Sequence, residues 1–425
     1  MTGTVAFLLA VLVLVAGLAA WLIPSNEEFA LMLGKAVEER TGVAVKIGQV
    51  RWSLQPLPKI ELGNISTAQE QPIVVRRVVV SPQLRPLLSR RIRIDTLEIA
   101  GALIPRESLR AFRGVEPLQA DGDGAWKLAE IPLGRLRFND VTWSDRRSIE
   151  LSYDGDIVFD AGWRPRTADL GRHDQTPPVR VRMEREGEAE QWRVLIDAGG
   201  GTGNGTATLQ TLDNGRVRLK AQLRPESVDI GLLMQAFKRS APVAGKVYGS
   251  TEIDAEADQI PGLWAVLHSR TTFSVRPATL TRFDLAKAVT TAGISRGGTT
   301  PLDELSGTLD TQNTDDGTRM TYTGLKARSG VLTATGKASI FNRRLSGEAA
   351  VDIVDGVVGM PLKLGGTLDN PELSLTGGAL TGAAVGTAVA PGVGTALGAR
   401  IGQQLERFFG DKEAAKRAAP KRPRP

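Results

Sequence analysis

At 425 residues, 41% of them hydrophobic, the chain is long enough for two or three ordinary domains or one elongated β structure, and too apolar to be a disordered polypeptide. It has no cysteine, which excludes disulfides, thiolate metal sites and cysteine nucleophiles, and only two histidines, His173 and His268, which leaves little material for a histidine metal site or a Ser-His-Asp triad. The net charge is +6, but Asp411–Pro425 alone holds six Lys/Arg against two acids, so the remainder is near neutral and lacks the basic face of a nucleic-acid binder.

Val5 to Ile23 is a run of nineteen residues without a charge. At ~1.5 Å per residue it spans roughly 28 Å, the thickness of a bilayer's hydrocarbon. Trp21 and Pro24 sit where an interfacial aromatic and a helix stop belong. A cleaved signal peptide, with Ala16 to Ala20 as the cleavage region, is the competing reading. The length of the run exceeds the usual h-region and favours a retained anchor, 1–24. No Lys or Arg precedes the run, so the positive-inside rule gives little orientation.

Ser25 followed by Glu28 forms a capping-box pattern, and Phe29, Met32, Leu33, Ala36 and Val37 share one face of the helix it opens, which Gly42 ends. The period then changes to two. Val43, Val45 and Ile47, then Val50, Trp52 and Leu54, then Ile60 and Leu62 read as strands around a turn at Pro56 and Pro58. Val74 to Val80 and Ile92 to Ile104 are further strands, separated by a helical turn at Leu84 to Leu88. This closes a first β region, 25–112.

A middle region, 113–260, continues with strands at Val179 to Met183 and Arg193 to Ile196, a glycine turn at Gly199 to Gly205, and a short helix at Val228 to Phe237. Val217, Leu219, Ala221 and Leu223 alternate with Arg216, Arg218, Lys220 and Gln222, the division expected of a strand with one apolar and one charged face. A third region, 261–375, has a helix at Leu285 to Ala292. Its strands are Leu305 to Leu309, Met320 to Leu325, Val331 to Ile340, Leu345 to Ile353 and Leu362 to Leu368. Gly-Thr-Leu-Asp recurs at 307–310 and 366–369 without a strict period.

In 376–410, Gly378, Gly382 and Gly386, and again Gly394, Gly398 and Gly402, are spaced by four around Pro391-Gly392. That spacing places each trio on one helical face, as in close-packed membrane helices. Each arm is too short to span, so the segment reads as a helical hairpin that inserts shallowly or packs on a sheet end, with Phe408 and Phe409 extending it. A flexible Gly/Ala linker is the alternative. The basic tail, 411–425, suits anionic headgroups or plain solvation.

Catalytic patterns are absent: there is no G-x-S-x-G elbow, P-loop or H-E-x-x-H. Asp121-Gly122-Asp123-Gly124 begins like a calcium loop, but Pro132 stands where the closing glutamate belongs, so it reads as a turn. Neither histidine has a ligand partner at useful spacing. No cofactor or metal is expected, and no enzyme.

The order of motifs resembles the AsmA family of Gram-negative envelope proteins. The resemblance runs through the apolar span, Lys35 to Thr41 with Gly42 to Val45, Trp52-Ser53-Leu54, Pro86-Leu87-Leu88 and the Arg93-Ile94-Asp95 strand. It continues at Val228-Asp229-Ile230 and Gly245, then Pro301 to Thr308, Gly330 to Gly336, and Val357 to Pro371. The glycine hairpin and basic tail fall outside the shared pattern. The resemblance implies a single-pass bacterial inner-membrane anchor with a periplasmic body. It implies an elongated, curved antiparallel β-sheet forming an apolar groove for acyl chains, with few short helices. Membrane phospholipids are then the partners, along with other envelope-assembly proteins, in outer-membrane biogenesis. Groove-lining candidates are Val217, Leu219, Ala221, Leu223, Val331, Leu345, Val351 and Ile353; membrane-contact candidates are the six spaced glycines, Phe408 and Phe409. A scaffold that assists outer-membrane protein or lipopolysaccharide assembly without carrying lipid, and an envelope hydrolase, remain as alternatives.

Overall fold

The computed structural model describes residues 26–53, 58–89, 91–112, 127–145, 147–161, 164–290, 297–314, 316–330, 332–353, 357–368 and 370–375. Within them the chain is mainly β, with unclosed antiparallel sheet and few short helices. It divides into two compact units. One comprises Met1–Leu223, Leu232–Arg239 and Ala255–Trp264; the other comprises Arg224–Gly231, Ser240–Asp254 and Ala265–Pro425. The expected boundary at 112/113 falls inside the first unit.

The first unit opens on α1 (Asn26–Thr41), which ends where Gly42 adopts φ +68° and its N–H bonds to the Glu38 carbonyl at 2.7 Å. Leu33 and Val37 are buried against the sheet, whereas Met32, expected on the same face, is 59% exposed. One residue in the expected stripe therefore lies at its solvent margin; the helix buries a narrower face than the spacing suggested.

The strands that follow are β1 (Val45–Ser53), β2 (Lys59–Thr67), β3 (Val74–Pro82), β4 (Arg91–Pro105), β5 (Lys127–Ser144), β6 (Glu150–Phe159), β7 (Pro165–Arg172), β8 (Arg180–Arg185), β9 (Gln191–Ala198) and β10 (Gly201–Thr211). Each pairs with the next, antiparallel throughout except β4 with β5, which run parallel. This corrects the all-antiparallel expectation: parallel neighbours need a crossover, and the long connection after β4, which begins with a 3-10 turn at Glu107–Phe112, supplies it. The short helix between β3 and β4 is α2 (Leu84–Leu88), at the expected place. The expected glycine turn is only Gly199–Gly200, with φ of +54° and +71°; Gly201 onward is strand. β11 (Val217–Glu226), as far as Leu223, completes this unit through a tight turn in which Leu212 N–H bonds to the Arg216 carbonyl at 2.7 Å.

The second unit contains β12 (Val228–Asp229) and β13 (Val243–Ala257) as far as Asp254, followed by β14 (His268–Leu280), β15 (Thr300–Leu302), β16 (Glu304–Thr314), β17 (Gly317–Arg328), β18 (Leu332–Phe341), β19 (Arg344–Ile353), β20 (Val357–Gly366) and β21 (Pro371–Leu375). It is an antiparallel meander in which β14 pairs with both β15 and β16. α3 (Ile230–Ala236) starts in this unit, but from Leu232 on it belongs to the first; α4 (Leu285–Thr290) lies in this unit at the expected place, with the last two residues of its expected span outside the described residues. Two cores result. One centres on Leu62, Val75, Val80, Ile94, Leu97 and Phe112; the other on Val275, Leu302, Leu332, Val351 and Leu362.

Among the described residues no helix is long and apolar enough to cross a membrane. The span at 5–23, the Ser25 cap, the Asp121 turn and the glycine hairpin lie outside them.

Candidate functional site

Residues paired across neighbouring strands point to the same face, so the registers of the second unit assemble rows of side chains. One row runs Val247, Val275, Leu305, Ala327, Ala334, Val351 across six strands. Further along the strands, on the same face, lies Leu309, Tyr322, Ala338, Gly347 and Leu364, and beyond it Met320, Ile340 and Leu345. Two local devices hold this alignment. The β18–β19 turn at Asn342–Arg343 places both residues at positive φ, and a bulge at Gly324 (φ +58°) lets Tyr322 and Leu325 keep one face despite the extra residue. The reverse face is polar: Thr333, Thr335 and Lys337 lie opposite Asp352, Ala350 and Glu348, and Lys337 reaches Glu348 at 3.2 Å.

Burial is graded along this apolar face. In the first row Val275, Ala334 and Val351 are buried and cluster with Phe283 and Leu285 at the start of α4, Val351 having no exposed surface, while Val247, Leu305 and Ala327 are half-buried. Leu309, Tyr322, Ala338, Ile340, Leu345 and Leu364 are only half-buried. Phe273 meets Tyr322 edge-on at 6.3 Å between ring centroids, and burial pushes the Tyr322 phenol above its usual pKa. The face is thus packed most densely beside Phe283 and Leu285 and keeps partial exposure along the Leu309–Leu364 row.

The first unit repeats the pattern. Leu136, Ile157, Ala168, Met183, Val194 and Gly205 form one row, and Phe138, Gly155, Leu170, Val181, Ile196 and Gly203 the next. The β10–β11 turn hydrogen bond places Val217, Leu219, Ala221 and Leu223 on this face beside Leu209 and Ala207. The opposite face is a ladder of ion pairs: Arg135 to Asp156 through Nε at 2.6 Å, Arg182 to Asp197 at 2.7 Å, and Arg180 to Asp169. The hydrogen bond from Arg135 holds the Asp156 carboxyl below the usual carboxylate range against the opposing effect of burial, with Arg137 assisting.

Of the groove candidates, Val217, Leu219, Ala221 and Leu223 are half-buried on the first unit's apolar face, and Leu345 is half-buried on the second's. Val351 shares the face of Leu345, but α4 covers its end of the strand, which makes it a core residue rather than part of an open surface. Ile353 ends β19, paired with Leu332, and its side chain is outside the description, as are Val331, the six glycines, Phe408 and Phe409. Sequence reading missed Phe138, Ile157, Leu170, Met183 and Ile196 of the first face, and Tyr322 with Ala338 of the second. In β5 the available signal, alternation, is broken by a bulge at Asp140 (φ +51°), which shifts Leu136 and Phe138 out of phase with Val141 and Trp143.

Polar side chains whose pKa is shifted are held in structural contacts. His173 Nδ1 lies 2.8 Å from Asp154 and its Nε2 2.8 Å from Asp174; the Asp154 hydrogen bond raises its pKa. Beside it, buried Arg172 donates to the Ala236 and Ser152 carbonyls and packs over the Tyr153 and Phe237 rings, with burial lowering its pKa. With both ring nitrogens against carboxylates, His173 is poorly placed as a general base. Among the described residues no group of three or more His, Asp or Glu is arranged to hold a metal ion. Comparison with known protein families, characterised proteins and solved structures finds no match for this chain.

Proposed function

We propose that this chain is a non-catalytic, membrane-anchored envelope protein of the AsmA type. Its role is to bind or conduct phospholipid in the periplasm, in support of outer-membrane biogenesis. The observation that carries the reading is the second unit's graded apolar face: a packed end beneath α4, then half-buried Leu309, Tyr322, Ala338, Leu345 and Leu364, with polar residues on the reverse side. A one-sided sheet ordinarily buries its apolar face under a second layer. Here small residues, Ala338 and Gly347, stand between Tyr322 and Leu364 in the same row. Each methylene laid on such a surface contributes about 0.8 kcal/mol, so half-covering ten of them gives ~4 kcal/mol. A mainly aliphatic lining, with Tyr322 and Phe273 as its aromatic members, suits acyl chains, which need no directional contacts. The motifs behind the AsmA resemblance add weight, since Pro301 to Thr308 forms β15 and the start of β16 beneath this face, and Gly366 to Pro371 forms the β20–β21 turn.

Native mass spectrometry of the full chain, extracted gently from membranes, tests the proposal. Phospholipid adducts that survive mild activation are expected. A chain that is consistently lipid-free while folded would leave the lipid-free scaffold as the better reading.

A further inference from the structure

We infer that one end of the first unit's sheet is a contact surface for an anionic phospholipid bilayer, formed by Trp52 and Leu84 with the cations Arg51, Lys59, Arg85 and Arg91. The registers bring these residues to a common end. Ser53 pairs with Lys59 at the β1–β2 turn, Ile60 with Val80, and Pro82 with Ile94, so α2 and the start of β4 lie at the end that carries that turn. All six side chains are exposed. Trp52 is 40% and Leu84 52% exposed, which leaves an indole and a leucine side chain at this end open to solvent.

Charge identifies the occupant. Many arginines elsewhere in this unit are matched with carboxylates, as in Arg77 with Glu61, Arg135 with Asp156 and Arg180 with Asp169, but those without an ion pair among the described residues, such as Arg106 and Arg147, are not gathered beside exposed apolar side chains as these four are. None of the four cations at this end has an ion pair among the described residues. Two neighbouring acids are already engaged: Glu61, the cross-strand partner of Arg51, binds Arg77, and Asp95 accepts a hydrogen bond from Gln83 at 2.9 Å; Glu27 of α1 lines the same hollow as Arg51 without forming an ion pair with it. An indole and a leucine among unpaired cations match the layered chemistry of a bilayer interface, where apolar groups enter the acyl boundary and cations meet phosphate. In the sequence the uncharged run 5–23 comes just before α1 and β1, the elements that lead to Arg51 and Trp52. The inference rests on the membrane location in the proposed function and adds a specific docking surface to it.

The chain has no cysteine, so Leu84→Cys gives a unique labelling position. The full chain, carrying an environment-sensitive fluorophore at that position, is reconstituted into vesicles of phosphatidylcholine alone or mixed with phosphatidylglycerol. Asn214→Cys, in the exposed β10–β11 turn, serves as the control. With phosphatidylglycerol present, the probe at 84 should shift to the blue and be quenched by spin-labelled acyl chains, while the probe at 214 should not. Arg85→Glu with Arg91→Glu, or high salt, should abolish the quenching without altering circular dichroism. No quenching at 84 in either vesicle overturns the inference, as does equal quenching in neutral vesicles or in the charge-reversed variant. Lipid adducts measured on the same variants separate the two ideas, because the docking surface can fail while the groove stays loaded.

Discussion

Replacing Leu345 and Val351, one at a time, with aspartate separates an open apolar surface from an ordinary core, because the two residues lie on one strand and one face but differ in cover. Val351 is fully buried beneath Phe283 and Leu285. Its replacement forfeits about 1.5–3 kcal/mol of side-chain burial and adds several kcal/mol for an unpaired carboxylate in an apolar site. Set against a typical total of about 5–15 kcal/mol, that should unfold the second unit or cripple its expression. Leu345 is half-buried beside Ile340, so the aspartate keeps much of its hydration and the loss should be about 1–2 kcal/mol. Urea titration followed by circular dichroism measures stability, and native mass spectrometry measures lipid load on the same samples. The expected pair of results is a folded Leu345→Asp chain with depleted phospholipid and a Val351→Asp chain that does not fold. If Leu345→Asp is as damaging as Val351→Asp, or folds and retains a full lipid load, the reasoning about the open face is wrong.

Other residues make independent predictions. A Cβ at Gly205 would fall on the Gln222 carbonyl of the neighbouring strand, so Gly205→Val should lower stability by about 1–3 kcal/mol or more, read as a lower urea midpoint. Arg172→Met keeps the bulk but leaves the Ala236 carbonyl without its side-chain donor, while the Ser152 carbonyl keeps only the His173 N–H at 3.0 Å; a loss of roughly 1–3 kcal/mol is expected by the same titration. His173, whose pKa Asp154 raises above 6.5, should contribute stability that is fully present below the unfolded value and is lost as pH rises through the higher folded value. Stability curves of His173→Gln and the parent should therefore converge towards alkaline pH; a constant gap across the range would contradict this.

Much of the strand sequence was legible because alternation and punctuation agreed. The β3–α2–β4 segment, the β8 and β9 strands and the four apolar positions of β11 read directly from period two, interrupted at Leu84 to Leu88. The glycine run after β9 misled because composition cannot distinguish glycines needed for a turn from those needed for close approach. Gly199 and Gly200 turn the chain, whereas Gly205 is strand and is glycine because Gln222 lies against it. The parallel β4–β5 pair was invisible, since nothing in either strand records the direction of its neighbour. The site was half legible: which side chains share a face follows from parity, but Val351 and Leu345 have the same parity. Their difference in burial comes from residues 283–285, more than fifty positions away, a long-range contact with no local signature.

The central claim is that acyl chains lie on the apolar face of the second unit. A photocrosslinking amino acid at Ile340, compared with one at Lys337 on the opposite face of the same strand, tests it inside bacterial cells. Phospholipid adducts at position 340 and none at 337 are predicted; adducts at neither position in a folded chain, or equally at both, would contradict the account.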